Sequence, residues 1–222
     1  MRIRWYGQSA FCLSGREATV FIDPFADVDG LRGRGVKFDY PPIENAAADL
    51  VLVTHEHADH NGVGAVRGAP QVLRSAVGRL ESPIGEVVAI ASEHDDRAGT
   101  ERGANTIFVF ELERLRVAHF GDFGQRSLRE EQAQAIGEVQ LLFLPVGGGP
   151  TIDAEQAAAI VKRLAPRWVV PMHYRTERVS FLDGVDPFLK RVPAFDRLQQ
   201  SSFDTHDLPS ADYPFVIVPT AP

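Results

Sequence analysis

The stretch His55-Glu56-His57-Ala58-Asp59-His60 constrains the fold of this chain more than any other. It places three imidazoles and one carboxylate within six positions, shortly after an apolar run, Leu50–Val53, that predicts a buried strand. Imidazole nitrogen and carboxylate oxygen are the usual protein ligands of zinc and of neighbouring divalent metals. The hexapeptide therefore predicts a metal site at the end of a buried strand.

Three further ligand-type residues, His94, Asp122 and His173, each follow an apolar segment that predicts a strand. In α/β folds, side chains from several strand ends meet at one edge of a sheet, so we expect these residues to converge on the hexapeptide. His55 and His57 are two positions apart and can share one metal, because alternate residues of an extended segment point to the same side. The seven predicted ligands are His55, His57 and His94 for one metal, Asp59, His60 and His173 for a second, and Asp122 as a bridge between the two.

These motifs together resemble the metallo-β-lactamase fold superfamily, whose members carry HxHxDH, a downstream His, a bridging Asp in a Gly-Asp pair and a final His. The matching segments are Asp23-Pro24-Phe25, Thr54 through His60, Gly121-Asp122, Pro145-Val146-Gly147-Gly148 and Pro171-Met172-His173-Tyr174. Within the superfamily, the chain resembles compact prokaryotic metal-dependent hydrolases grouped with L-ascorbate 6-phosphate lactonase. The resemblance implies an α/β fold, a four-layer αββα sandwich, with the site at one edge of the two sheets. We predict one domain spanning residues 1–222.

The resemblance implies a dinuclear hydrolase that uses a metal-bound hydroxide to attack a small soluble ester, lactone or phosphodiester. Zinc is the expected metal, with manganese or iron as alternatives, because the ligand types suit all three. Asp59 is expected to orient the nucleophile and move its proton. Asp23 either orients a metal-binding histidine or caps a turn with Pro24.

Three alternative functions are consistent with a metal site of this kind. An oxygen-reducing di-iron protein of the same fold is disfavoured, because such relatives carry Glu where this chain has His57. An RNA-processing phosphodiesterase is disfavoured by a net charge of −7, from 23 basic and 30 acidic residues, since nucleic-acid binders usually carry a basic surface. A non-catalytic metal-binding protein remains an alternative.

Composition predicts where the protein acts and with what. A single cysteine, Cys12, suits a reducing cytoplasm and lies in an apolar run, where it is expected to be a small buried residue. No charge-free run approaches the roughly 20 residues that span a bilayer, so no membrane contact is expected. The expected partner is a small-molecule substrate, with an anionic one left open, and not nucleic acid. The oligomeric state is undetermined, with a homo-oligomer left open.

Several residues near the motifs receive other predictions. Gln8 stands where relatives often have His and is not counted as a ligand, His119 is interpreted as a strand-end or positioning residue, and His206 as a surface residue. The segment 26–48 predicts a long mobile loop, in which Arg32, Arg34 and Lys37 are candidates for closing over an anion, although ordinary surface charge is favoured. Arg175 and Thr176 are weaker candidates of the same kind. The glycines at 147–149 predict a close approach of two backbone segments.

Elsewhere, apolar runs at 10–13 and 18–22 predict a hairpin, and residues 154–164 predict a helix capped by Thr151 or Asp153. A short helix is predicted over Ser75–Leu80. A strand beginning at Trp168 is predicted to end before Pro171.

Overall fold

The structure is a computed structural model that describes residues 1–26, 28, 37–212 and 214–222. The strands are, in chain order, β1 (Arg2–Gly7), β2 (Ala10–Ser14), β3 (Thr19–Ile22), β4 (Leu50–Val53), β5 (Gln71–Arg74), β6 (Gly78–Ser82), β7 (Gly85–Glu93), β8 (Ala104–Leu112), β9 (Leu115–His119), β10 (Leu141–Pro145), β11 (Trp168–Met172), β12 (Ala194–Arg197), β13 (Ser202–Asp204) and β14 (Phe215–Val218). The α-helices within the described ranges are α1 (Glu130–Ile136), α2 (Ala154–Leu164) and α3 (Asp186–Leu189), with 3-10 turns at Val63–Ala65 and Thr205–Asp207.

Two mixed sheets make up the centre of the fold. One has six strands in the order β13-β1-β2-β3-β4-β5, and the other has eight in the order β12-β14-β11-β10-β9-β8-β7-β6. In the six-stranded sheet, β1 to β3 are antiparallel neighbours, whereas β3, β4 and β5 run parallel. In the eight-stranded sheet, β6 to β9 are antiparallel neighbours, and the remaining strands pair in parallel. The predicted hairpin at residues 10–22 is confirmed as β2 and β3.

The two faces of β4 show why its sequence is apolar throughout. Leu50 and Leu52 belong to the large core between the sheets, whereas Val51 and Val53 belong to a second core on the outer face of the six-stranded sheet. Successive side chains of a strand point to opposite faces, so a strand buried on both faces reads as a continuous apolar run. This strand delivers the hexapeptide to the edge of the sandwich.

The outer layers differ on the two sides. On the eight-stranded sheet, α2 buries Ala157, Ile160 and Val161, whose spacing places them on one helix face. The α2 helix begins at the N-cap Asp153, one of the two predicted caps, whose carboxylate accepts the backbone N–H groups of the next turn. On the six-stranded sheet, the described residues of the covering layer are mostly irregular and include buried Phe38. The predicted α/β sandwich is confirmed.

Two local predictions were wrong. The helix predicted over Ser75–Leu80 is instead a loop at residues 75–77 followed by the start of β6 at Gly78. Ser75 and Gly78 have φ angles of +45° and +116°, and the flanking strands β5 and β6 pair in different sheets. β11 continues through Pro171 to Met172. Beyond Val169 it pairs only with β10, so proline sits where the strand has a single neighbour.

The segment predicted as a long loop is only partly described. Arg32 and Arg34 lie outside the described residues. Lys37 lies 3.8 Å from the Asp39 carboxylate, with both side chains about half exposed. Among the described residues, no helix is long and apolar enough to cross a membrane.

Candidate metal centre

Four strands place the predicted ligands at one edge of the sandwich. β4 of the six-stranded sheet ends just before His55, and β7, β9 and β11 of the other sheet end just before His94, Asp122 and His173. The sheets are joined here, because the Thr106 amide donates a hydrogen bond to the Thr54 carbonyl at 3.0 Å. All seven predicted residues therefore meet where these four strands end.

Among the side chains that the structure describes, those of ligand type form three overlapping clusters, of which one is His55, His60 and Asp122 and the other two match the predicted sets. In each cluster, the nitrogen and oxygen atoms lie within 4.8 Å of one another. We use the name imidazole group for the three residues His55, His57 and His94 together. We use the name carboxylate group for the three residues Asp59, His60 and His173 together. His57 is exposed and Asp59 is partly exposed, whereas the other four side chains are buried.

Asp122 lies between the two groups. Its Oδ2 atom is 3.3 Å from His94 Nε2 on one side, and 3.2 Å from His60 Nε2 and 3.1 Å from His173 Nε2 on the other. Although burial opposes ionisation, the charges of His173 and His60 hold the pKa of this carboxyl well below its usual range. One ionised oxygen therefore faces imidazoles of both groups.

Hydrogen bonds fix which nitrogen of His60 and of His94 faces the centre. His60 Nδ1 lies 2.9 Å from Asp23 Oδ2, and His94 Nδ1 lies 3.1 Å from the Pro150 carbonyl. Both oxygens are acceptors, so both Nδ1 atoms carry the proton and donate it. Asp23 therefore orients a histidine, which is one of its two predicted roles.

The Thr54 hydroxyl orients the ring of His55. It donates its proton to Asp23 Oδ2 at 2.8 Å, and it lies 3.0 Å from His55 Nδ1. Because the hydroxyl has one proton and has given it to Asp23, His55 Nδ1–H is the donor to Thr54. The Nε2 lone pair of His55 is left to face the centre.

Two buried nitrogen atoms that face the centre, His55 Nε2 and His60 Nε2, lack hydrogen-bond partners within the described part of the chain. His173 faces Asp122 through Nε2, and its Nδ1 also lacks a partner there. A bare His60 Nε2 would place its lone pair 3.2 Å from the Asp122 carboxylate, which is repulsive unless a proton or a metal cation lies between them. Neutral imidazoles around a shared carboxylate are the donor set that divalent zinc, manganese or iron accepts, so the residues fit a metal centre.

The two groups differ in electrostatics. Burial, together with the charge of His60, lowers the pKa of His55 well below its usual value, and burial also lowers the pKa of His94. For His60 burial acts in the same direction, but the carboxylates of Asp122, Asp59 and Asp23 outweigh it and raise the pKa well above its usual value. Without metal, a proton is therefore held at His60 and excluded from His55.

Two polar residues that the sequence did not single out hold Asp122 in place. Ser9 Oγ donates to Asp122 Oδ1 at 3.2 Å, and the Asp122 amide donates to Asn105 Oδ1 at 3.0 Å. Gly121 allows this approach, because its φ is +53° and a Cβ atom there would lie 2.4 Å from Asn105 Oδ1. Their positions at strand ends were visible in the sequence, but their partners were not.

His119 is a buried strand-end histidine outside both groups, as predicted. Its Nε2–H donates to the Ser9 carbonyl at 3.0 Å, and its Nδ1 accepts the Gly121 amide at 3.2 Å. Burial lowers its pKa to about 4, which keeps the ring neutral at physiological pH. His119 therefore holds in place the segment at Gly121 that carries Asp122 and the segment at Ser9 that contacts it.

Glu56 fastens the hexapeptide to its neighbours. Its carboxylate accepts hydrogen bonds from Arg74 Nε at 3.0 Å, Arg74 Nη2 at 2.7 Å and Ser75 Oγ at 3.1 Å. Asn61 Nδ2 donates to the Glu56 carbonyl at 3.1 Å. The turn that carries His57 and Asp59 is thus held to the loop after β5, a contact that the sequence did not predict.

Gly147 lies against the backbone of His173, as the glycine run predicted. A Cβ atom at Gly147 would lie 2.2 Å from the His173 carbonyl oxygen. Arg175 and Thr176 were the weaker candidates for contact with an anion. Arg175 is exposed, and the Thr176 hydroxyl lies 3.0 Å from the Tyr40 hydroxyl. His206 is exposed, as predicted.

Three buried site residues have left-handed backbone conformations. Gln8, Asp23 and His173 have φ angles of +47°, +48° and +50°. Such conformations cost about 1–3 kcal/mol each for residues other than glycine and are common at functional sites. The Gln8 carbonyl accepts the His173 amide at 3.4 Å, whereas neither polar atom of the buried Gln8 side chain has a partner within the described residues.

Comparison with known proteins identifies relatives along most of the chain. Residues 2–173 match a family model described as a beta-lactamase superfamily domain. A metal-dependent hydrolase of Thermococcus onnurineus is 30% identical over 199 residues, covering 79% of this chain and 85% of the relative. Another from Pyrobaculum islandicum is 29% identical over 220 residues, covering 90% and 95%.

Solved structures share the architecture. A metallo-beta-lactamase superfamily protein of Thermotoga maritima superimposes with a TM-score of 0.77 at 29% identity, over 99% of each chain. The diiron beta-hydroxylase CmlA of Streptomyces venezuelae gives 0.53 at 18% identity, over 78% of this chain and 44% of CmlA. The second likeness concerns the fold alone.

Proposed function

This chain belongs to the beta-lactamase superfamily and is a metal-dependent hydrolase, and we propose that it uses two metal ions to hydrolyse a small soluble ester, lactone or phosphodiester. The predicted superfamily is confirmed by the family match, and relatives of similar length carry the name metal-dependent hydrolase. The number of metals, their identity and the substrate are the parts that we propose.

The position of Asp122 carries the proposal of two metals. Its Oδ2 atom is within 3.3 Å of one imidazole of the imidazole group and of both imidazoles of the carboxylate group. A single metal would leave the buried nitrogen atoms of one of the two groups without a cation, which is costly for groups removed from water. We assign His55, His57 and His94 to one metal, Asp59, His60 and His173 to the other, and Asp122 to both.

Two divalent cations at this position would lower the pKa of a bound water towards neutrality and would polarise the carbonyl or phosphoryl group to be cleaved. Zinc is our proposed metal, because N/O ligand sets with three imidazoles are typical zinc sites. The relative from Thermotoga maritima is also assigned as zinc-dependent. Manganese and iron accept the same ligands.

Asp59 is proposed to carry the proton of the reaction. Hydrolysis adds the oxygen of water to carbon or phosphorus, breaks the bond to the leaving oxygen and moves one proton from water to that oxygen. Asp59 is the partly exposed carboxylate of the centre, 14% accessible, and its Oδ2 lies 3.6 Å from His60 Nε2. It can therefore accept the proton beside the buried ligands and release it on the open side.

The remaining polar residues are proposed to hold the ligands in their reactive arrangement. Asp23 fixes His60, Thr54 fixes His55, and Ser9 fixes Asp122 through the hydrogen bonds described above. Fixed ligands need little rearrangement during the reaction, which is the main protein contribution to metal catalysis.

The partner is proposed to be a small molecule in a reducing cytoplasm. The net charge of −7 is unfavourable for binding a nucleic-acid backbone, and the single cysteine is typical of reducing compartments. Cys12 is buried, as predicted.

The test combines metal analysis with a substrate screen. Protein purified without chelator is expected to contain two equivalents of metal and to hydrolyse at least one compound among lactones, carboxylic esters, thioesters and phosphodiesters. His55→Ala should lose metal and activity, whereas His206→Ala, an exposed histidine away from the centre, should keep both. No metal in the wild-type protein, or equal activity in both variants, would contradict the proposal. Cleavage of RNA alone would favour the RNA-processing alternative.

A further inference from the structure

An exposed aromatic ring stands beside the carboxylate group. The Phe181 side chain is 42% exposed, and its ring lies edge-on to the His173 ring, with 6.5 Å between centroids and 80° between planes. Within the described part of the chain, only two other large apolar side chains are exposed, Val77 and Phe195. Phe181 is the one of the three whose ring contacts a proposed metal ligand.

The segment around Phe181 is anchored on both sides. Val179 is fully buried and forms a β-bridge with Phe38, and Leu182 is 3% exposed in the core outside the six-stranded sheet. The Asp183 amide donates to the Gly147 carbonyl at 2.8 Å. The exposure of Phe181 therefore results from an ordered backbone that turns this ring outward between two buried side chains.

Leaving a phenyl ring in water beside a polar centre is unfavourable unless something apolar covers it, since apolar surface gains about 25 cal/mol for each Å² buried. Ligand sites combine apolar walls with a few polar groups that fix orientation. Here the polar groups are the carboxylate group and Asp122, and the adjoining wall is Phe181.

We propose that Phe181 is a specificity-determining residue that packs against an apolar acyl group of the substrate. This inference rests on the proposed function and narrows it to carboxylic esters or lactones with an aliphatic acyl chain. A carbonyl oxygen held at the carboxylate group places the attached acyl chain beside His173, and therefore beside Phe181.

The test compares short and long acyl chains in the zinc-loaded full-length protein. The probes are p-nitrophenyl acetate and p-nitrophenyl hexanoate, which differ by four methylene groups. A chain packed against one wall should gain about 1.8-fold in kcat/KM per methylene, below the roughly fourfold gain of full burial. Wild-type protein should therefore prefer the hexanoate by about tenfold.

Phe181→Ala should lose most of this preference, by lowering kcat/KM for the hexanoate about tenfold and for the acetate less than twofold. Phe181→Leu should retain part of it, because an apolar wall remains. Phe195→Ala is the matched control, since Phe195 is 47% exposed on the edge strand β12 and its ring lies near the Arg197 guanidinium. It should leave both values unchanged.

A binding measurement separates this inference from the proposed function. Hexanoate and acetate ions should bind the zinc-loaded wild-type protein with about a tenfold difference in Kd, and Phe181→Ala should remove that difference. If neither ester is hydrolysed, the proposed ester hydrolysis fails, while the carboxylate series still tests the role of Phe181. Equal binding of both carboxylates by wild-type protein, or equal loss for both in Phe181→Ala, overturns the inference.

Discussion

The imidazole group and the carboxylate group share one edge of the fold and one bridging carboxylate, yet they differ in charge. Behind the imidazole group stand neutral acceptors, the Thr54 hydroxyl and the Pro150 carbonyl. The carboxylate group contains Asp59 itself, and the ionisable partner of its His60 is Asp23. One half of the centre is thus built from neutral donors and the other from charged ones.

Because of this difference, the two groups should differ in how they bind a metal ion. The lowered pKa values of His55 and His94 leave their Nε2 atoms without a proton, so a cation can bind the imidazole group there without displacing a proton. The raised pKa of His60 means that a cation must displace a proton in the carboxylate group. The negative charge of that group also attracts the cation more strongly.

The largest effect should come from the residue that the two groups share. Asp122→Asn keeps the shape of the side chain but removes its charge, so both metals should bind more weakly and hydrolysis should fall by at least about a hundredfold. Metal content after gel filtration and kcat/KM on the best substrate of the screen measure this. Asp186→Asn, an exposed carboxyl on α3, is the control. Unchanged metal content in Asp122→Asn would contradict a bridging role.

Removing one ligand from each group should separate the halves. His94→Ala should leave about one metal per chain in the carboxylate group, and His173→Ala about one in the imidazole group. Elemental analysis at matched free zinc concentrations gives the stoichiometry. If either substitution abolished all binding, the two groups would form one indivisible site.

Removing the orienting hydrogen bonds should have an intermediate effect. Asp23→Asn takes the negative acceptor away from His60, and substitutions of such partners typically lower metal affinity 10- to 100-fold. Thr54→Val removes the acceptor of His55, and it should act on the imidazole group and less strongly, because a hydroxyl is a neutral partner. Competition with a fluorescent chelator measures both. A larger effect of Thr54→Val would contradict the proposed charge difference.

Acidification should affect the carboxylate group first. Because the metal displaces a proton from His60, its apparent affinity should fall about tenfold per pH unit below the raised pKa of that histidine. The lowered pKa values of His55 and His94 place the same loss at lower pH in the imidazole group. Metal content of His94→Ala and His173→Ala against pH separates the two curves. Loss of metal at the same pH in both variants would contradict the proposed difference between the two groups.

Much of the centre could be predicted because its ligands follow apolar strands directly. The hexapeptide after β4 and the single residues after β7, β9 and β11 needed only the rule that strand ends converge. Ser9 could not be found in this way, because it reaches Asp122 across 113 positions of sequence. Arg74 likewise reaches Glu56 only through the pairing of β4 with β5.

Two regions outside the metal centre, β1 and residues 75–80, were less predictable. Arg2, Ile3, Arg4 and Trp5 alternate between polar and apolar, a pattern typical of the strand that β1 forms there. Residues 75–80 do not by themselves distinguish helix from strand, because the apolar stretch is short. The pairing of β5 with β4 and of β6 with β7 decides the outcome. The structure of such segments depends on pairing with strands elsewhere in the chain.

One edge of this sandwich is proposed to hold two metals on two unlike sets of ligands. Anomalous X-ray diffraction at the zinc edge, from crystals of the zinc-loaded protein, tests it most directly. Two peaks are expected, one among His55, His57 and His94 and one among Asp59, His60 and His173, with Asp122 in contact with both. A single peak, or peaks away from Asp122, would contradict the account.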